Sequence, residues 1–127
     1  GDSRLYRLRG TAFELVSRDH TQFEELLKQG LLDDNASETT HPTSHILTRA
    51  LGVEKQVELE VEAFEVGKDD VFLLCSDGLS NVVEQLEMAK AIYYSEDKER
   101  AISNLINMAL AGKANDNVTA VIIDGKQ

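Results

Sequence analysis

Five apolar residues in a row, Val71-Phe72-Leu73-Leu74-Cys75, stop abruptly at Ser76-Asp77-Gly78. A run of that length and composition reads as a strand covered on both faces. It also sets a carboxylate at the end of a buried element, where desolvation is costly unless the group is hydrogen-bonded, paired or bound to a metal. Asp77 therefore has two readings. It is a hard oxygen ligand on a rigid support, suited to Mg²⁺ or Mn²⁺, or it caps the helix after Gly78 or starts a turn. The local pattern leaves both open, because Asp124-Gly125 also follows an apolar strand and spacing does not separate the two aspartates.

The elements around that strand follow from periodicity and punctuation. Arg4 to Arg9 and Ala12 to Val16 are rich in strand formers and flank Gly10-Thr11, a hairpin signal. Thr21-Gln22-Phe23-Glu24 has the form of a capping box, Phe23, Leu26 and Leu27 recur at helical spacing, and Gly30 stands as a stop. This predicts a helix over 21–29. Residues 33–44 are polar, hold the only proline and show no periodicity, so they form a long exposed loop of the functional or mobile kind. Val57-Glu58-Leu59-Glu60-Val61-Glu62-Ala63 alternates apolar and acidic residues, which predicts a strand with one wet face, and the slip at Phe64 and Val66 calls for a bulge. Val82, Val83, Leu86, Ala89 and Ile92 predict a helix beginning after Ser80. A second, with Ser95 as cap, carries Ile102, Leu105, Ile106 and Ala109 and ends at Gly112. Asn115-Asp116-Asn117 is a turn, and Val118 to Ile123 is a closing strand. Strands cluster without intervening helices, so the class is α+β with antiparallel pairing.

Charge narrows the function classes. In 127 residues, 23 acidic side chains against 13 basic ones leave a net charge of −10, with no Lys/Arg block. Such a field repels nucleic acid and anionic lipid, which excludes a sequence-independent phosphate-backbone surface, and it favours divalent cations. No run approaches the ~18 apolar residues of a membrane span. The single cysteine, Cys75, lies inside the apolar run, so no intrachain disulfide forms; it reads either as a thiol packed in the core or as a sign of a reduced, cytoplasmic setting. The chain begins at Gly1 instead of Met, as an excised or processed piece, a tag scar or loss of Met would all leave it.

Other candidates are weaker when taken singly. Asp116 is explained by turn formation without any metal, and Asp2 by its place before the first strand. His20, His41 and His45 are of the residue type that serves as acid or base in catalysis, but they fit capping and loop roles. No Ser, His and Asp arrangement suggests a triad, no His and Cys pattern suggests zinc, and no Gly-rich turn suggests a nucleotide cradle. Arg4, Arg7, Arg9 and Arg18 make the first strands locally basic, as a solvated strand face would be.

Five blocks change the weight of these residues when read in order: Gly1-Asp2-Ser3-Arg4, Arg18-Asp19-His20, Leu47-Thr48-Arg49-Ala50-Leu51-Gly52, Leu73-Leu74-Cys75-Ser76-Asp77-Gly78-Leu79 and Asp116-Asn117-Val118-Thr119. Together they resemble the bacterial branch of the metal-dependent protein phosphatase 2C family, over Gly1 to about Ile123. The resemblance implies an antiparallel β-sandwich flanked by helices in αββα layers, with residues 1–127 as the carboxyl-terminal part of one catalytic domain. It implies that Asp77 and Asp116 are metal ligands, and that Asp2 joins Asp77 in holding a third, weaker ion beside two catalytic Mn²⁺ or Mg²⁺ ions. Asp124 matches no ligand position. The loop of about 33–46 corresponds to the family's flap, where Thr43-Ser44-His45 replaces a basic or amide residue common in bacterial relatives. The implied reaction is hydrolysis of phosphoserine and phosphothreonine in proteins by a metal-activated water, which needs no protein nucleophile.

The family's amino-terminal half has no counterpart in these residues. That half carries an Asp-Gly-x-Gly-Gly-His segment, whose aspartate bridges the catalytic metals and whose histidine is considered the general acid. No acid role therefore passes to His20, His41 or His45. The isolated chain is expected to be inactive, and its uncovered apolar surface to need the missing half or a second chain. Two alternatives remain: a noncatalytic phosphatase-like module that binds a partner, and a plain acidic interaction domain whose motifs are accidental.

Overall fold

The computed structural model describes every residue except Asp34, Thr39 and Gln127. The chain divides into two compact units, one made of Gly1–Asp2 with Arg18–Ala63 and the other of Ser3–Ser17 with Phe64–Gln127.

The second unit is built on a four-stranded antiparallel sheet in the order β2-β1-β3-β4, with β1 at Arg4–Arg9, β2 at Ala12–Leu15, β3 at Val71–Cys75 and β4 at Ala120–Asp124. The hairpin and the buried run fall where the sequence puts them. Helices α2 (Asp77–Ser80), α3 (Gln85–Tyr93) and α4 (Lys98–Ala111) follow β3. Tyr6, Leu73 and Cys75 point to the helical side and are buried with Leu79, Val83, Met88, Leu105 and Ala109, and Ile122 and Phe13 pack against this cluster. Tyr6 stacks on Phe13 with centroids 5.1 Å apart. Among the described residues, the second unit thus forms one sheet backed by one helical layer.

The other sheet face departs from expectation. Register puts Leu5, Leu74 and Val121 in one row and Arg7, Phe72 and Ile123 in the next. Phe64 lies 5.7 Å from Phe72 and covers that ring, but Leu74, Val121 and Ile123 are 43%, 46% and 50% exposed. So β3 is covered on one face and only partly on the other. Arg7 donates to Glu14 at 3.1 Å, while its Nε is buried with no hydrogen-bond acceptor among the described residues.

Several boundaries shift for local reasons. A four-residue helix, α2, opens at Asp77, and Val82 and Val83 lie in the link before α3 rather than inside it. The cap of α4 is Asp97, whose carboxylate accepts from Arg100 N at 2.8 Å; Ser95 instead donates back to the Ala91 carbonyl at the end of α3. The closing strand starts at Ala120 because Thr119 is held by Ser76, outside the regular ladder.

The first unit carries α1 (Gln22–Lys28), capped by Thr21, which accepts from Glu24 N. Gly30 takes a φ of 71°, Gly30 N donates to Leu27 O and Leu31 N to Leu26 O, the paired closure expected where glycine ends a helix. In the 33–46 loop a 3-10 turn, Pro42–His45, is capped by His41, whose Nδ1 accepts from Thr43 N. Leu47 bridges to Thr21, flanked by Gln22 N to Ile46 O and Thr48 N to His20 O.

The strand expected over 57–63 is not formed, nor is the bulge after it. Its alternation is intact, but Leu59 and Val61 are 78% and 87% exposed, and no described strand pairs with the segment. A strand needs a neighbour for its backbone groups, and the alternating pattern names the face to be buried without supplying that neighbour. Among the described residues, no helix is long and apolar enough to cross a membrane.

One ion pair, buried on its carboxylate side, joins the end of β1 to the start of β3. Asp70 is 2% exposed, receives both Arg9 Nε at 2.8 Å and Arg9 Nη2 at 2.7 Å, and accepts from Gly67 N at 2.7 Å. The guanidinium is the main reason its carboxyl is lowered to about 2, from the ordinary value near 4. A carboxyl depressed in the folded state stabilises it above the unfolded pKa and loses that contribution as pH falls through the folded one. Asp70→Asn should therefore lower the urea midpoint at pH 7, with the gap to wild type constant above about pH 4 and closing between about pH 4 and pH 2. Equal midpoints at pH 7 would contradict this account.

Candidate metal centre

Strand β3 delivers its last residues to one end of the sheet, and β4 arrives there from the opposite direction. Cys75 pairs with Ala120 as the final rung of regular ladder. The pairing continues beyond it, because Ser76 N donates to Thr119 O at 2.9 Å and Ser76 Oγ accepts from Thr119 N at 3.0 Å. The same hydroxyl lies 3.3 Å from Asn117 O and 3.5 Å from Thr119 O. Arg4, where β1 opens, is also paired with Cys75.

Gly78 completes the approach. A β-carbon there would lie 2.1 Å from Asn117 O and 2.9 Å from Asn117 C, so only glycine admits this contact. The main chain around Asp77 and the main chain beside Asp116 are thereby held against each other. Asp77 occupies the first turn of α2, with Ser76 as the N-cap residue. Asp116 is exposed in the loop before β4, and its Oδ1 accepts from Asn117 N at 2.7 Å, which fixes the carboxylate's rotation. Both readings of Asp77 left open by the sequence thus share one position, a helix start that is also a meeting point of loops.

Asp2 belongs to the first unit, two residues before β1, and is partly buried. Asp124 is occupied structurally: Lys98 Nζ lies 2.9 Å from Oδ2, Oδ1 accepts from Lys126 N, and the lysine is the main cause of its lowered pKa. The histidines take local roles. His20 Nε2 contacts Glu60 Oε2, which lowers the Glu60 pKa, His41 caps the 3-10 turn, and His45 is exposed.

In kind, the donor set fits a hard divalent cation, since two carboxylates on anchored main chain are oxygen ligands of the sort Mg²⁺ and Mn²⁺ take. In number it falls short. No group of three or more His, Cys, Asp or Glu side chains able to hold a metal occurs among the described residues. Two features escaped sequence reasoning. The role of Ser76 carried no local signal, since its partners are 41 and 43 residues away. The Arg9 and Asp70 pair is likewise long-range, its members lying 61 residues apart.

No protein-family model matches the chain. Curated relatives do. The serine/threonine phosphatase stp of Listeria innocua is 33% identical over 124 residues, covering 98% of this chain and 49% of that protein. The serine/threonine protein phosphatase PstP of Mycobacterium tuberculosis is 36% identical over 98% of this chain and 24% of its own length. Among solved structures, that of the M. tuberculosis phosphatase PstP/Ppp superposes over all of this chain and 53% of its own, with a TM-score of 0.89 at 32% identity. Another, a PstP catalytic domain described in complex with 2 manganese ions, gives a TM-score of 0.75 at 33% identity, over 98% of this chain and 50% of its own. The chain spans about half the length of the stp relative.

The close approach at Gly78 is directly testable. Gly78→Ala should push Asn117 away and destabilise the protein by about 1–3 kcal/mol, the usual range for overpacking. Faster amide exchange at Thr119 should accompany that loss. Wild-type stability and exchange would show that the two loops do not touch in solution.

Proposed function

We propose that this chain, a member of the metal-dependent protein phosphatase 2C family matching the carboxyl-terminal half of its catalytic domain, serves in hydrolysis of phosphoserine and phosphothreonine in proteins. The observation that carries this reading is the contact of Gly78 with Asn117, which anchors the Asp77 and Asp116 segments together in a chain whose relatives are named serine/threonine phosphatases. Asp77 and Asp116 would hold Mn²⁺ or Mg²⁺. Manganese is favoured by the structural neighbour described with 2 manganese ions. Two such ions would supply the Lewis acidity that makes water a nucleophile at neutral pH, and positive charge against the phosphoryl oxygens.

The chain's own part is positional. Strand β3 and the first turn of α2 fix Asp77, and the Asn117 contact fixes the loop that carries Asp116. Remaining ligands and the general acid come from the amino-terminal half. The same half covers the bare sheet face at Leu74, Val121 and Ile123 and offers an acceptor to Arg7 Nε. It also pairs with the unformed strand over 57–63. The alternative, a noncatalytic module that binds a partner, is separated by activity.

Full-length protein should release phosphate from a phosphothreonine peptide in Mn²⁺. Asp77→Asn should reduce that rate by about 100-fold or more, because loss of a ligand itself exceeds the cost of losing a ligand's supporting residue. The isolated 127 residues should be inactive. Turnover by the isolated chain, or an unaffected Asp77→Asn enzyme, would overturn the assignment; Mn²⁺ binding without turnover would favour the binding module.

A further inference from the structure

Serine is among the residues best suited to cap a helix, because its hydroxyl accepts from the free amides of the first turn. Ser76 stands at the N-cap of α2, yet its side chain makes no capping bond. Its carbonyl alone serves the helix, accepting from Leu79 N at 3.1 Å. The hydroxyl is turned instead to the opposite loop, where it accepts from Thr119 N at 3.0 Å and has Asn117 O at 3.3 Å and Thr119 O at 3.5 Å within reach of its single hydrogen. A local bond is forgone for a pair of bonds spanning more than 40 residues.

Those bonds fall between the two candidate ligands. Ser76 is the residue before Asp77, and Asn117 the residue after Asp116. We infer that Ser76 is a positioning residue whose hydroxyl sets the separation of the Asp77 and Asp116 carboxylates. The inference rests on the phosphatase reading above. With alanine in its place, Thr119 N and Asn117 O lose their partner, and the loop keeps only Ser76 N to Thr119 O and the Gly78 contact. Neither remaining contact holds the loop on the Asp116 side of Thr119 by a side-chain bond.

The test uses full-length protein and Mn²⁺ alone, with binding followed by loss of the free-ion electron paramagnetic resonance signal. Ser76→Ala should weaken Mn²⁺ binding about 10- to 100-fold, the range for residues that orient metal ligands. Turnover on a phosphopeptide should return to the wild-type value at saturating Mn²⁺, since a displaced ligand weakens affinity while the assembled centre still works. Ser76→Thr keeps the hydroxyl and should bind as wild type does. Ser76→Cys keeps the size without the strong acceptor and should follow alanine, which guards against misfolding of the smaller variant. Thr119 amide exchange should quicken in the alanine and cysteine variants and stay slow in Asp77→Asn. Wild-type Mn²⁺ affinity in both Ser76→Ala and Ser76→Cys overturns the inference and leaves the phosphatase reading standing. Failure of the wild-type protein to bind Mn²⁺ overturns that reading and the inference with it.

Discussion

The hydrogen-bond ladder between β3 and β4 does not end where the strands end, and the geometry of the candidate centre depends on that extra length. Regular pairing stops at Cys75 and Ala120, but Ser76 and Thr119 exchange further bonds, and Gly78 then meets Asn117 without a side chain between them. Each step limits the next. A sheet alone would deliver two chain ends to the same neighbourhood; the added contacts turn a neighbourhood into a fixed distance. Since β3 is also paired to β1 and backed by Leu79, Val83 and Leu105, the loops inherit the rigidity of the best-buried part of the molecule.

Much of this was legible in the residues because it rests on local rules. The hairpin at Gly10-Thr11, the Thr21 cap, the Gly30 stop and the buried run of β3 all depend on neighbours in sequence, and they fall in place. The cap of α4 was misplaced by two residues because Ser95 and Asp97 are both good caps, and only the bond to Arg100 N distinguishes them. Residues 57–63 show a different limit. Their alternation is a correct description of a strand, but a strand is a relation between two segments, and the described residues supply one of them.

The candidate site divides along the same line. Asp77 stood out because an abrupt end to an apolar run is a local event. Asp116 did not, since any Asn-Asp-Asn turn looks alike, and it gained meaning only from family order. The work of Ser76 was invisible: serine before a short helix already has an ordinary explanation, and the structure shows that the explanation does not apply.

The bare side of the sheet combines two kinds of attraction. Leu74, Val121 and Ile123 provide adhesion that is indifferent to direction, whereas the buried Nε of Arg7 demands an oxygen along one line. A companion polypeptide laid on this face one residue out of step would satisfy the aliphatic side chains and still leave that N–H without water or acceptor. Grease brings the two surfaces together, and a single nitrogen decides how they are aligned.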